Sequence, residues 1–369
     1  MALPTDKQQL SRQLSFWEFI DLLCGLIVVC GSGLYHMATG IFRGRSGATK
    51  YRLHVGRAMF RTLSSKLGWK QVQHLFPPTN IAYENFAKQK GFEPDTVILE
   101  HGGLGHWIGD KTAKDIVVYF HGGGFQVSAD PVFFDVYSRL ITDINSQEHD
   151  IAFFFLTYTL TPHASYPTQL QQCVEALRYI VVQTGRSPSN VFIGGDSAGG
   201  NLALAVLLHL THPQPAIEPL EISRPLAGIF VIAPWGCLRF DGWSSEKENR
   251  YKDLFLKQAG DKWAKAYLNG RLPDSWSNPF LAPDEWWCGT QAKHVLILAG
   301  SEEILLSQIE NFVPKLRNAV PDTIFAVGLG EGHVSLIFDQ ILGDKSQTKQ
   351  ETELRRWLTE ILRQKMATA

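Results

Sequence analysis

Short, continuous apolar runs recur along most of the chain, each bounded by polar or glycine-rich turns: Asp115–Phe120, Ile151–Leu156, Val191–Gly194, Leu226–Ile232, Val295–Leu298 and Thr323–Val327. Runs of this length without polar alternation mark strands covered on both faces. Segments of helical period separate them, among them Gln169–Gln183 and Ala198–Leu210. Strands alternating with helices predict an α/β protein built on a mostly parallel central sheet flanked by helices. Ahead of this array, Thr96–Glu100 and Gly105–Ile108 bracket His101–Leu104 and predict an antiparallel pair at a sheet edge.

The N-terminal region follows a different pattern. Leu22–Phe42 carries no charge other than that of a protonated His36, and Trp17, Tyr35 and Phe42 stand near its ends, where a membrane interface favours aromatic rings. The reading adopted is a single membrane span within residues 1–45, with membrane contact through residues 22–42. Gly25, Gly31, Ser32, Gly33, Thr39 and Gly40 dilute its apolar character, so a helix packed on the protein's own substrate cleft is the alternative. Glu18 and Asp21 interrupt what a secretory leader would keep basic. Arg43, Arg45, Lys50, Arg52 and Arg57 follow the segment while Lys7 and Arg12 precede it, which places the bulk of the chain on the cytosolic side, the endoplasmic reticulum being one membrane that fits. The absence of an N-x-S/T sequon agrees with that side. Lys50–Gly68 reads as an amphipathic helix with Leu53, Phe60, Leu63 and Leu67 on one side and Arg57, Arg61 and Lys66 on a solvated remainder, broken by Pro77 and Pro78. The expected division is therefore 1–45 as anchor or cap helix, 46–110 as cap region and edge strands, and 111–369 as catalytic domain.

Composition narrows the chemistry. A formal net charge of -1 gives no reason to expect nucleic acid, and the expected partner is a small molecule. The 5 cysteines, Cys24, Cys30, Cys173, Cys237 and Cys288, show neither zinc spacing nor a C-x-x-C pair, so neither a metal nor a disulfide framework is expected.

Chemistry concentrates where strands end. Val191–Gly194 runs into Gly195-Asp196-Ser197-Ala198-Gly199 and then into an apolar helix, the G-x-S-x-G arrangement that lifts a serine onto a sharp strand-to-helix turn. Glycines two residues before and after avoid clashes on such a turn, and the N–H of Ala198, at the start of the helix, is free to face an oxyanion. Asp115–Phe120 delivers His121-Gly122-Gly123-Gly124-Phe125 at its carboxyl end, where backbone N–H groups without flanking side chains can approach a developing negative charge. A serine nucleophile needs a base and a group to orient it. His333 follows the Thr323–Val327 strand, whereas His294 precedes a strand and His209 and His212 lie on the helix away from the elbow. After Val295–Leu298, Glu302 and Glu303 both offer a carboxylate, and spacing to the histidine favours Glu303. Gly328–Gly332 superficially resembles a dinucleotide loop but lacks the helix and acid such a loop requires, so no cofactor is expected.

Taken in order, His121–Phe125, Tyr158–Pro162, the GDSAGGN run from Gly195, Asn278–Pro283, the Glu303 loop and His333 resemble the hormone-sensitive-lipase-like α/β-hydrolases, the group that includes arylacetamide deacetylases, steryl acetate deacetylases and many fungal esterases. The resemblance covers Asp115 to the C-terminus. It implies an α/β-hydrolase fold with a helical cap from the N-terminal region and an insertion, with Ser197 as nucleophile, His333 as base and Glu303 as acid. It also implies an oxyanion hole over Gly122, Gly123, Gly124 and Ala198, the N–H groups coming from Gly123, Gly124 and Ala198 while Gly122 and His121 shape the loop and Asp196 supports the elbow. Two segments depart from the family pattern: the acid is commonly an aspartate followed by Pro-Leu, and Y-R-L-A-P-E reads Tyr158-Thr159-Leu160-Thr161-Pro162-His163 here. The resemblance implies hydrolysis of short-acyl esters of lipophilic small molecules. Residues before Lys111 and the Trp243, Trp263, Trp276, Trp286 and Trp287 insertion are expected to line the pocket. Amidase or acyl-transfer chemistry uses the same residues, and a non-catalytic receptor on the same scaffold is the rival class.

Overall fold

The computed structural model describes Lys7 and residues 12–367, so the remainder of the stretch before residue 12 lies outside the described residues. Eight strands, β1 (Thr96–Ile98), β2 (Leu104–Ile108), β3 (Asp115–Phe120), β4 (Ile151–Thr157), β5 (Val191–Asp196), β6 (Leu226–Ile232), β7 (Ala292–Gly300) and β8 (Ile324–Gly328), form one sheet in the order β1-β2-β4-β3-β5-β6-β7-β8. β2 pairs antiparallel with β1 and with β4, and every later pairing is parallel. The apolar runs explain this layering. In β3, Ile116, Val118 and Phe120 enter the core on one face while Val117 and Tyr119 enter the core on the other. β4 divides likewise, with Ala152, Phe154 and Leu156 opposite Ile151, Phe153 and Phe155. Side chains alternate across a strand, so only a sheet covered on both sides buries such runs completely.

The order reverses at β3: β4 lies on one side of it and β5 on the other. Loops leaving adjacent strands in opposite directions open a crevice at their carboxyl ends, the usual place for a ligand in an open α/β sheet. Register aligns what borders that crevice. Phe120 lies opposite Gly195, so the glycine loop after β3 starts beside the serine turn after β5. Gly300 lies opposite Gly328, so the acid and histidine loops also leave side by side.

The N-terminal region supplies helices α1 (Phe16–Thr39), α2 (Tyr51–Lys66) and α3 (Trp69–Leu75). α2 and α3 lie against the loops at the carboxyl ends of the strands. Phe60 packs edge-on against Phe338 with ring centroids 5.7 Å apart, and the Gln73 amide donates to the carbonyls of Gln126 and Thr161. The arginines of α2 correct the sequence expectation of a solvated basic face. Arg57 and Arg61 are 1% and 6% exposed. Arg57 donates to Glu302 Oε2 at 2.7 Å and to Asp339 Oδ1 at 3.2 Å, and Arg61 donates to the Asp253 carbonyl at 2.6 Å. Helical periodicity places both a turn apart on one face but does not reveal that acidic loops arrive there from hundreds of residues away.

Candidate active site

Ser197 occupies the turn from β5 into helix Ser197–His209 with φ +51, a left-handed conformation that a residue with a Cβ adopts only under constraint. Close packing supplies the constraint: a Cβ on Gly195 would sit 2.3 Å from the Gly199 carbonyl oxygen, so the residues two before and two after the serine touch. The Ser197 carbonyl accepts the Trp235 N–H at 2.9 Å, which ties the turn to the loop after β6.

Ser197 Oγ lies 2.8 Å from His333 Nε2, and His333 Nδ1 lies 2.9 Å from Glu303 Oε2. All three are buried, Glu303 completely. The second oxygen of Glu303, Oε1, accepts the Gly300 N–H at 2.7 Å, which fixes the carboxylate plane. Glu302 points elsewhere. Its Oε1 accepts from the Thr49 N–H and hydroxyl at 2.7 and 2.5 Å, and its Oε2 accepts from Arg57. The two neighbouring glutamates are thus separated by direction, one facing the histidine and one facing Thr49 and Arg57.

Several groups that sequence reasoning passed over hold the acid loop. Asn249 donates to the carbonyls of Ser301 and Glu303, both at 3.0 Å, and Ser245 Oγ donates to that of Ile304 at 2.7 Å. Asp253 accepts the Ile304 N–H at 2.6 Å. Burial pushes the Asp253 carboxyl up to about 6, opposed chiefly by the nearby His333. Burial also pushes Glu303 up to about 8, opposed by the Gly300 N–H, and lowers His333 from its ordinary value. The same low-dielectric environment therefore disfavours charge on both partners, and their protons titrate as those of a pair.

The glycine loop is held from below. Asp196 Oδ1 accepts the Gly122 N–H at 2.9 Å and the Tyr119 hydroxyl at 2.7 Å, and Tyr137 donates to Tyr119 in turn at 2.5 Å. Tyr158 donates to the His121 carbonyl at 2.9 Å, and the two rings stack. Burial pushes the Asp196 carboxyl up to about 6 against those two donors. The N–H of Gly122 is therefore spent on the scaffold, whereas those of Gly123, Gly124 and Ala198 have no hydrogen-bond partner among the described residues. Gly123 adopts φ +103, and a Cβ there would sit 2.4 Å from the Val127 carbonyl oxygen, so only glycine keeps this loop shape. Tyr119 sits in a strand that reads only as apolar and Tyr137 on the helix Pro131–Asn145, so nothing in their sequence context marked them, whereas Tyr158 opens a segment that the family resemblance singles out.

Ser197, His333 and the glycine loop lie at the foot of an apolar cleft walled by Phe60, Leu63, Leu67 and Phe76 from α2 and the turns after α2 and α3 and by Phe255 and Trp263 from the segment between β6 and β7. Of the insertion's tryptophans only Trp263 faces the cleft. Trp276 packs on Trp286, Trp287 is buried against Phe312, and Trp243 donates to the Arg239 carbonyl. His294 pairs with Asp322 at the entering end of β7, and His209 accepts the Gln214 N–H, both away from Ser197.

Residues 117–337 match the profile of a family described as the alpha/beta hydrolase fold. Arylacetamide deacetylase of Oryctolagus cuniculus is 36% identical over 310 residues, covering 68% of this chain and 75% of that protein. Steryl acetyl hydrolase 1 of Saccharomyces cerevisiae is 27% identical over 221 residues, covering 57% of this chain and 50% of that protein. The matched region thus spans half the length of the yeast relative. Among solved structures, an esterase of the bacterial hormone-sensitive lipase family superposes with a TM-score of 0.63 at 23% identity, covering 86% of this chain and 99% of that one. The chain belongs to the α/β-hydrolase fold family.

Proposed function

We propose that this protein hydrolyses short-acyl carboxylic esters of lipophilic small molecules through a serine acyl-enzyme. The reading is carried by the unbroken line from Ser197 Oγ through His333 to Glu303 at the foot of an apolar cleft. Names of relatives support the class, since the rabbit protein is a deacetylase and the yeast protein a steryl acetyl hydrolase. In this division of labour residues 111–369 carry the chemistry and residues 46–110 form the cap. Helix α1, the one helix among the described residues long and apolar enough to cross a membrane, holds the enzyme at a membrane.

His333 Nε2 takes the proton from Ser197 Oγ as that oxygen attacks the ester carbonyl carbon. Glu303 accepts from Nδ1–H, which keeps Nε2 unprotonated and stabilises the imidazolium that forms. The carbonyl oxygen becomes an oxyanion facing the N–H groups of Gly123, Gly124 and Ala198. Collapse breaks the ester C–O bond, and the alcohol leaves with the proton from Nε2. Water then loses a proton to His333, attacks the acyl-enzyme, and the acid departs as Ser197 regains its proton. Stopped-flow kinetics with p-nitrophenyl acetate tests the reading: a burst of p-nitrophenolate followed by slower turnover is expected, and a folded, monodisperse sample without turnover would leave it unsupported.

Two further results follow from the same site. Gly123→Ala forces a Cβ against the Val127 carbonyl and moves the loop that carries the oxyanion donors. kcat is expected to fall roughly 100- to 1000-fold, the size of losing one such donor, with KM little changed. A variant with kcat within about twofold of the parent would remove Gly123 from the oxyanion site. The pH profile is the second. The active form holds Glu303 ionised and His333 neutral, so one added proton inactivates the pair whichever member receives it. kcat/KM is expected to fall with unit slope as pH drops within roughly pH 5 to 8. A flat profile over that range, with chemistry limiting, would exclude His333 as the base.

A further inference from the structure

Helix α1 is two-faced in a way its composition conceals. Trp17, Ile27, Leu34, Tyr35, Ile41 and Phe42, on the helix and the turn that follows it, are 64% to 82% exposed and recur at helical spacing, forming one outward apolar stripe. The opposite face is tied to the cap along nearly its whole length. Glu18 pairs with Lys70 at 2.8 Å, and Asp21 Oδ2 accepts from the Gln71 amide at 2.6 Å. Thr62 Oγ1 donates to Ser32 Oγ at 2.9 Å, His36 Nδ1 meets His54 Nε2 at 3.2 Å, and the Tyr51 hydroxyl donates to the Met37 carbonyl at 2.5 Å. Partners advance along α1 as they retreat along α2, so the two helices run antiparallel.

From Glu18 to Met37 this seam extends about 28 Å at ~1.5 Å per residue, close to the ~30 Å thickness of a bilayer's hydrocarbon core. A helix crossing the bilayer would carry its whole partner into hydrocarbon, yet α2 contains Arg52, Arg57, Arg61 and Lys66. A helix lying along the surface meets both demands, with the stripe in the acyl chains and the seam on the protein side. Charge agrees: the carboxylates of α1 are turned to Lys70 and Gln71, while Arg45, beyond the C-terminal end of α1, and Lys66, the last residue of α2, are exposed without an acidic partner among the described residues, where anionic headgroups would meet them.

The seam is also a wall of the cleft. Leu22 and Leu26 of α1 pack in a small cluster with Leu63, Leu67, Val72 and Phe76 of the cap, and these four cap residues line the cleft above Ser197. A single layer of side chains separates the helix from the cleft. We propose that α1 lies in the plane of one leaflet, docked along the cap. The leaflet then borders the outer wall of the cleft and is the reservoir from which a lipophilic ester enters. The docking claim replaces the single span expected from sequence, and the entry claim rests on the hydrolase reading.

The test uses the full chain, all native cysteines replaced by serine, bound to sealed phosphatidylcholine/phosphatidylserine vesicles. Lys7→Cys and Arg45→Cys are labelled separately with a membrane-impermeant maleimide. In-plane docking is expected to leave both equally reactive without detergent. A Lys7→Cys that reacts only after detergent means a span and overturns the proposal. So does failure to float with vesicles, including the case in which this face instead pairs two copies of the chain in solution. Ile27→Glu with Leu34→Glu is expected to abolish flotation. The same pair should cut turnover of an ester dissolved in the vesicles roughly tenfold or more, leaving that of soluble p-nitrophenyl acetate unchanged. Equal losses on both esters would overturn the entry route. Absent turnover of the soluble ester by the parent protein would instead count against the hydrolase reading, and the labelling would still decide the docking.

Discussion

Ser197→Ala is expected to lower kcat/KM for p-nitrophenyl acetate by at least ~10^4-fold while the protein remains folded. Among the described residues the side-chain oxygen bonds only to His333 Nε2, so its removal strands no other buried group there. The Cβ is retained, and so is the left-handed φ of +51, which costs alanine as much as it costs serine. A thermal midpoint within a few degrees of the parent is therefore expected beside the loss of activity. The burst is the sharper readout, because no acyl-enzyme can form without the hydroxyl. Residual turnover should be slow and free of a burst, reflecting the glycine loop and binding alone. A variant that keeps both burst and rate would mean that another residue is acylated, and the assignment of the elbow would fall.

Much of this site is legible in the sequence because its parts are attached to the most regular elements. Buried strands announce themselves as apolar runs, and His121–Gly124, Ser197, Glu303 and His333 all follow within five residues of a strand's carboxyl end. Direction is what the one-dimensional pattern withholds. Glu302 and Glu303 are adjacent and chemically alike, and only the fold turns one to Arg57 and the other to His333. Arg57 itself read as solvent-facing because its partners are 245 and 282 residues away. The tryptophans of the insertion were equally opaque, since a large ring fills a core as readily as it lines a cleft, and Trp263 alone does the latter. For α1, hydropathy measured how apolar the helix is but not that its polar minority lies on one face and is already partnered.

The two glutamates give the second large effect, and they are best tested against each other. Glu303→Gln preserves size but reverses one hydrogen bond. The amide oxygen is held by the Gly300 N–H in the place of Oε1, so the NH2 group faces His333 Nδ1. Nδ1 must then accept, the ring proton moves to Nε2, and the imidazole cannot take the proton of Ser197. A loss of roughly 10^3- to 10^4-fold in kcat is expected, with KM little changed. The residual acid limb should also shift to lower pH, because burial already lowers His333 and the carboxylate hydrogen-bonded to Nδ1, which favours the protonated ring, is gone. Glu302→Gln should do the reverse. It removes a charge from the buried contact with Arg57, whose remaining carboxylate partner is Asp339, and is expected to cost on the order of 3 kcal/mol of stability, read as a lower urea midpoint. Its kcat well below the unfolding temperature should stay near that of the parent, since Glu303 and His333 keep their contact. Should Glu302→Gln instead be the inactive variant and Glu303→Gln the unstable one, the acid would be Glu302, and the loop would have to turn over during catalysis to deliver it.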